Sequence, residues 1–410
     1  MKWGDFLKKT VKIIDGIIAS LAAALFLLVS VLDTSLPDRI NIYSNDNIKY
    51  SSFISLESSN EAKAADSSGN STSNGEMLLL GIIPIKEVDI TKIDERYVIS
   101  GGNSFGIKIF TDGVMVVGMS DVDSEDGNVN PAKESGLKIG DIITDINGTK
   151  VYSNDEVACI ISSSGGKKVT LNVVRNEKKT KIEFVPAFSV SQNEYKAGIW
   201  VRDSTAGIGT MTFYSPVTKQ FAGLGHAVCD VDTGVLLPVG SGEIVESEIF
   251  SINKSSKGTA GELCGTFTGN RLGTLNNNCE CGIFGTLDNV NADSGLIKIA
   301  LPQEVSTGKA EILTTLDDTG IQRFECEIEK IDRSDGIVTN MVIKITDKEL
   351  LERTGGIVQG MSGSPIIQNG MLAGAVTHVF VNDPERGYGV FADTMFDEMQ
   401  QNAEELKEAS

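Results

Sequence analysis

The stretch Gly355-Gly356-Ile357-Val358-Gln359-Gly360-Met361-Ser362-Gly363-Ser364-Pro365 holds a serine between two glycines, with apolar residues to either side. Acyl transfer needs such a setting. The serine must be approachable, and glycines let the backbone turn tightly enough to aim amide N–H groups at a substrate carbonyl, where they stabilise the charge developing on its oxygen. Here the donors would be the N–H groups of Gly360 and Ser362. A serine hydroxyl is a poor nucleophile at neutral pH until a base takes its proton, and the usual base is histidine, with a pKa of about 6.5. The chain has two histidines. His226 lies in the small-residue segment Ala222-Gly223-Leu224-Gly225-His226-Ala227, which leaves an imidazole accessible. His378 lies in the apolar run Gly374-Ala375-Val376-Thr377-His378-Val379-Phe380, which reads as a strand and makes it a packed residue or a pocket wall. His226 is the expected base. Ser364 shares the turn with Ser362, but its place directly before Pro365 suggests packing at the start of the next strand. Cys229, three residues after His226, is poorly placed for in-line attack. The competing reading of the loop is an ordinary Gly/Ser turn between strands.

The spacing of Gly360, Ser362 and Pro365 resembles the nucleophile loop of the chymotrypsin-like serine proteases, in which a glycine two before the serine and a proline three after it recur. That resemblance implies two packed six-stranded β-barrels, which residues 189–394, rich in short apolar alternations and glycine turns, could build. It also places His378 at a position that in some of these enzymes lines the specificity pocket.

Composition narrows the alternatives. The 36 Lys and Arg against 56 Asp and Glu leave a formal charge of -20, which repels nucleic acid and anionic lipid surfaces. Low aromatic content and 43 glycines favour many short strands and tight turns, a mainly β fold. The six cysteines, Cys159, Cys229, Cys264, Cys279, Cys281 and Cys326, show no repeating spacing. Cys279-x-Cys281 lacks a second pair or a nearby histidine for zinc, and in an exported domain Cys264 could pair with either. A chain of 410 residues needs no such staples, so ordinary thiols are expected, with no metal or cofactor.

Lys2, Lys8, Lys9 and Lys12 precede an apolar run from Gly16 to Leu32 that can span or nearly span a bilayer. The lysines put the N-terminus in the cytoplasm and everything after Asp33 outside it. No clear small-x-small cleavage site follows, so an uncleaved signal anchor over 1–33 is preferred to a cleavable signal peptide. Residues 34–96 are expected to be an extended tether, most flexible from Glu57 to Glu76, where apolar residues are too few to offset the entropy of ordering. If the protein is a protease, self-processing is expected in that stretch.

Residues 97–188 contain Asn130-Pro131-Ala132-Lys133-Glu134-Ser135-Gly136-Leu137-Lys138-Ile139-Gly140-Asp141-Ile142-Ile143-Thr144-Asp145-Ile146-Asn147-Gly148. This closely resembles a PDZ domain. By that resemblance Ser104, Phe105, Gly106 and Ile107 match the loop that receives a peptide carboxylate, and the following strand edge accepts the peptide as an added strand. The tail, 395–410, reads as a short surface helix.

The third member of a triad is a carboxylate that fixes the histidine tautomer. Spacing leaves Asp230, Asp232, Asp317, Asp318, Asp332, Asp335 and Asp347 open. The anchor, the PDZ core, Gly223-Leu224-Gly225-His226-Ala227, the nucleophile loop and the Gly374–Pro384 run together resemble the stage IV sporulation protein B peptidases of endospore-forming bacteria, over nearly the whole chain. The resemblance implies His226, Asp347 and Ser362 as triad and no cofactor. It also implies a single-pass protein of the forespore membrane with its catalytic part in the intermembrane space. Self-cleavage is implied as well, with a membrane-anchored regulator of an intramembrane protease as substrate and control by an inhibitor protein. The rival reading is a membrane-tethered PDZ scaffold or sensor that binds but does not cut.

Overall fold

In the computed structural model, residues 3–43, 50, 53–62, 71–176, 178–291, 295–334, 336 and 338–408 are described. The chain opens with the helix Trp3–Ser35, whose segment Thr10–Ser35 contains an 18-residue window of mean hydropathy 2.3 and is long and apolar enough to cross a membrane. A short four-stranded sheet follows, in the spatial order Arg39–Tyr43, Ile83–Ile93, Ser71–Leu79, Ile54–Ala62. Its inner face buries Ile40, Ile42, Leu56, Met77, Val88 and Ile90. The expected tether is thus corrected at both flanks. Met77 and Leu56 supply apolar burial next to the polar stretch, and Glu57 pairs with Glu76 in the ladder. The centre of the expected tether, 63–70, lies outside the described residues.

The region expected to be the peptidase is built on two β-barrels. The second is a closed six-stranded ring in which Gly308–Thr315, Ile321–Ile331, Met341–Ile345, Arg386–Phe391, Met371–Val379 and Pro365–Gln368 follow one another around the barrel. Ile312, Phe324, Ile328, Ile343, Ile345, Ile366 and Val376 fill it. The first barrel closes through the pairings of Ser104–Met119, Ser241–Asn253, Glu262–Cys279, Gly282–Leu287, Gln220–Gly223 and Ile199–Tyr214, the last returning to the first. Its core is Phe105, Ile107, Ile109, Met211, Phe221, Ile244, Leu275 and Ile283.

This closure moves a boundary. The expected division at residue 189 would leave the first barrel without one of its strands, because that strand comes from upstream of the PDZ region. Ser104–Met119 and Ile199–Tyr214 are both 16 residues long and run from the barrel into the PDZ module within one 12-stranded sheet. Phe110 opposite Ser204 ends their barrel portion, and Met115 opposite Arg202 begins the PDZ portion, with a register shift between Arg202 and Ser204. Gly113 makes the bend, at φ +110°, where a Cβ would sit 2.5 Å from the Ile143 carbonyl oxygen. The PDZ module is an insertion in the first barrel.

Within that module Ala132, Leu137, Ile143, Ile146, Val157 and Ile161 form the core. The Gly140-Asp141 pair of the motif has a mechanical role. Asp141, almost wholly buried, accepts from the Lys138 N–H and from the Arg175 guanidinium, which ties the turn to the last strands. The helix Asn154–Ser163 is started by a capping box of Ser153 and Glu156. At the C-terminus, helix Ala392–Glu408 packs across the barrels, burying Met395 and Met399 rather than lying wholly on the surface. Arg96, itself largely buried, holds it by pairing with Asp393 and Asp397.

Candidate active site

The nucleophile loop begins with the helix Lys348–Thr354, which stops at Gly355 in the left-handed region, φ +70°. From there the chain is pinned residue by residue. Gln359 exchanges backbone bonds with Gly261 and Leu263 of the first barrel. Thr210, fully buried in that barrel, donates its hydroxyl to the Gly360 carbonyl at 2.8 Å and its N–H to the Ser362 carbonyl at 2.9 Å. Thr212 donates its hydroxyl to the Gly363 carbonyl at 2.8 Å, and the Gly363 N–H reaches Val376. Gly360 and Gly363 have φ of +97° and +95°. At Gly363 a Cβ would lie 1.9 Å from the Thr210 carbonyl oxygen, so no other residue fits.

These bonds occupy the loop's carbonyls and leave three amides over, those of Val358, Gly360 and Ser362. Among the described residues, the N–H groups of Gly360 and Ser362 have no intramolecular acceptor. They are the pair expected to bind an oxyanion. Ser362 is half-buried, and its hydroxyl donates to the Thr377 carbonyl at 2.9 Å. Ser364 is fully buried with its N–H bonded to Met361, and so has no access to a substrate.

His226 arrives from the first barrel. The strand Gln220–Gly223 ends in a turn at Leu224 and Gly225, both with positive φ, and the Leu224 N–H bonds back to the Thr210 carbonyl. Thr210 therefore holds the approach to the histidine and the serine loop at once. A Cβ on Gly225 would press on Thr377, Val390 and Ala375 at 3.0–3.3 Å, so the glycine lets the two barrels close on each other beside the site. The His226 and His378 rings lie with centroids 4.3 Å apart at 36°. His378, at the end of the apolar strand, turns out to solvent and against His226 rather than into the strand's packing. Burial and then the neighbouring His378 push the His226 pKa down to about 4, against the opposing effect of the Ala227 carbonyl, 2.8 Å from its Nδ1. Burial also lowers His378. Desolvation raises the Cys229 thiol, which leaves it short of thiolate.

The remaining expected site residues are engaged with other partners. Asp347 is the N-cap of Lys348–Thr354: its carboxylate accepts from the N–H groups of Glu349 and Leu350 at 2.9 and 3.1 Å, and from Glu325. Those bonds account for an aspartate fifteen residues before the serine without reference to His226. Asp230 is taken up by Arg202 and Thr233, and Asp317 by Arg353 and Thr319. No carboxylate is among the groups that shift His226.

Ser104, Phe105, Gly106 and Ile107 are corrected as well. They lie in a barrel strand paired on both edges, with Gly207–Thr210 on one side, while Phe105, Gly106 and Ile107 face Glu246, Val245 and Ile244 on the other. Phe105 is fully buried, and a Cβ on Gly106 would strike the Phe267 ring at 2.5 Å. No edge remains there for a peptide to join. The module has a cleft elsewhere. Residues 199–201, downstream of the module, pair with its strand at 116–119, and with Val157, Ala158 and Ile161 of the helix they line a cavity of about 360 Å³. Sequence reasoning also missed Thr210 and Thr212. Their signal was two threonines at alternate positions in an otherwise apolar strand, Gly209-Thr210-Met211-Thr212-Phe213.

Residues 193–396 match the family model described as SpoIVB peptidase S55, and residues 130–175 match a PDZ domain model. A "Probable periplasmic serine endoprotease DegP-like" protein of Brucella suis is 30% identical over 139 residues, which is 32% of this chain and 26% of that protein. The protein of the same description from Brucella melitensis matches equally. The chain thus spans about a quarter of the length of these curated relatives. Among solved structures, the PDZ domain of the SdrC-like protein of Listeria monocytogenes is 26% identical, with a TM-score of 0.18, covering 22% of this chain and 87% of that one. The HtrA-type protease AlgW, solved with a decapeptide, is 11% identical with a TM-score of 0.30, covering 50% of this chain and 55% of the other.

Proposed function

The chain belongs to the SpoIVB peptidase S55 family, and with it to the serine endopeptidases, and from that premise we propose that it cleaves peptide bonds through an acyl-enzyme on Ser362. The observation that carries this reading is the pair of unengaged N–H groups at Gly360 and Ser362, beside a half-buried serine hydroxyl, on a loop held from the same strand that holds the approach to His226. In the reaction the Ser362 hydroxyl leaves the Thr377 carbonyl and gives its proton to His226 as its oxygen attacks. The two amides bind the resulting oxyanion, and His226 returns the proton to the leaving amine. Water then repeats the sequence on the ester. His226 is kept neutral by burial, which is the state a base needs.

The resemblance to sporulation peptidases supports a more specific assignment. The apolar helix anchors the protein in the forespore membrane, the barrels and PDZ module lie outside the cytoplasm, and the enzyme cuts itself within Glu57–Glu76 before cutting a membrane-anchored regulator of an intramembrane protease. The PDZ cleft beside Asn154–Ser163 would take a peptide from self, substrate or inhibitor. The test uses the full chain in detergent, as wild type and Ser362→Ala, with a fluorophosphonate probe and mass spectrometry of fragments. Probe on Ser362, with fragments that vanish in the alanine variant, is the expected result. Absence of both from folded wild-type protein would overturn the peptidase reading, and labelling without fragments would overturn self-cleavage alone.

A further inference from the structure

The turn between Glu262–Cys279 and Gly282–Leu287 carries two thiols, and the C-terminal helix places a carboxylate over them. Cys279 and Cys281 have their Sγ atoms 3.5 Å apart, and a Glu398 oxygen completes a group whose ligand atoms all lie within 4.8 Å of one another. Cys281 is buried, while Cys279 and Glu398 are half-buried. Two thiolates on one tetrahedral zinc, with Zn–S of about 2.3 Å, stand about 3.8 Å apart, close to the separation found here. Asn277, on the strand leading into the turn, donates from Nδ2 to the Glu398 Oε1 at 3.2 Å, which orients the carboxylate as an outer-shell partner does. The three residues also border a cavity of about 830 Å³, which provides an entry path and room for a water as fourth ligand.

We propose that Cys279, Cys281 and Glu398 form a binding site for a thiophilic divalent cation, Zn²⁺ in the first instance, which staples the helix Ala392–Glu408 to the first barrel. Binding replaces two S–H protons by two S–Zn bonds and releases both protons to solvent, and Glu398 coordinates as the carboxylate. The site is not part of the catalytic machinery, but it adjoins the approach to it. Gly282, next to Cys281, is so close to Gly223 and Gly225 that a Cβ would lie 2.6 Å from the Gly223 oxygen and 3.3 Å from the Gly225 nitrogen, one residue before His226. A metal here fixes the hairpin on which that segment rests.

The test uses the full chain, reduced, stripped of metal by chelator and titrated with Co²⁺ under anaerobic conditions. The expected result is one Co²⁺ per chain, with a sulfur-to-cobalt charge-transfer band that Zn²⁺ abolishes, and a higher Tm for the metal-loaded protein. Replacing both thiols, Cys279→Ser with Cys281→Ser, should remove the band. Glu398→Gln, with the metal-free Tm of wild type, should keep the band but weaken binding about tenfold or more. A band undiminished in the double variant would place the metal on other cysteines and overturn the proposal. So would a reduced wild type with six titratable thiols that takes up no Co²⁺. Recovery of a Cys279–Cys281 disulfide from protein that binds no metal once reduced would overturn it in favour of a redox pair.

Discussion

A base with a pKa of about 4 behaves differently from one near 6.5, and the difference is measurable at His226. The neutral imidazole takes the Ser362 proton, so the rate of fluorophosphonate labelling should stay flat as pH falls through 6 and drop only as it passes about 4. The stability linkage has the matching sign. The folded-state pKa lies below the unfolded value near 6.5, so His226 contributes its full stability above about 6.5 and loses it progressively as pH falls from there toward 4. Burial is the larger cause of the depression and His378 the second. His378→Ala removes a neighbour that disfavours a second positive charge and opens the ring to water. The acid limb should therefore move up toward 6.5, with labelling at neutral pH retained. A limb that remains at 4 in the variant would show that His378 does not contribute, and a wild-type limb at 6.5 would show that His226 is solvated when it reacts.

At the scale of elements, the helix Lys348–Thr354 decides how Asp347 is to be read. As an N-cap, Asp347 satisfies two of the helix's first N–H groups, and that helix delivers the nucleophile loop through Gly355. Asparagine caps as well as aspartate, whereas alanine costs about 1 kcal/mol. A tautomer-fixing carboxylate behaves otherwise, and its replacement by asparagine lowers kcat by about 10⁴. Asp347→Asn is therefore expected to keep Ser362 labelling within a few-fold of wild type, while Asp347→Ala lowers the stability by about 1 kcal/mol in denaturant unfolding. A collapse of labelling in the folded Asn variant would instead return Asp347 to the triad. The tight glycine turns that carry Ser362 and lead to His226 were legible in the sequence because their requirements are local: glycines at set offsets, and one histidine in a small-residue setting. Asp347 was not, because a cap and a triad carboxylate are the same residue type at the same spacing. Glu398 was not either, since only the packing of the last helix brings it to Cys279 and Cys281.

For the whole molecule, the consequence of the barrel closures is that the PDZ module and the peptidase share two strands. The PDZ core motif marked the module clearly, but Ser104–Ile107 read as its peptide-binding loop because a short strand entering a PDZ domain and a strand leaving a barrel have the same pattern. Only the pairings of both edges separate them. A fragment beginning at Ser189 lacks the barrel strand that pairs with Gly207–Thr210 and with Ile244–Glu246, and so leaves two rows of backbone groups and the Phe105 and Ile107 positions of the core unfilled. It is expected to show no cooperative unfolding and no probe labelling. Phe110 stands directly opposite Ser204, so replacing residues 111–203 by Asn-Gly should close the two barrel strands as a hairpin with a favoured turn. That variant, otherwise full length, should unfold cooperatively and label at Ser362, because Thr210 still holds both the serine loop and the approach to His226. Its labelling should also be indifferent to PDZ ligands. A Ser189 fragment that folds and labels as well as the full chain would refute the shared-strand architecture. A hairpin variant that folds but does not label would show that the inserted module, beyond its place between two barrel strands, sets the geometry at the serine.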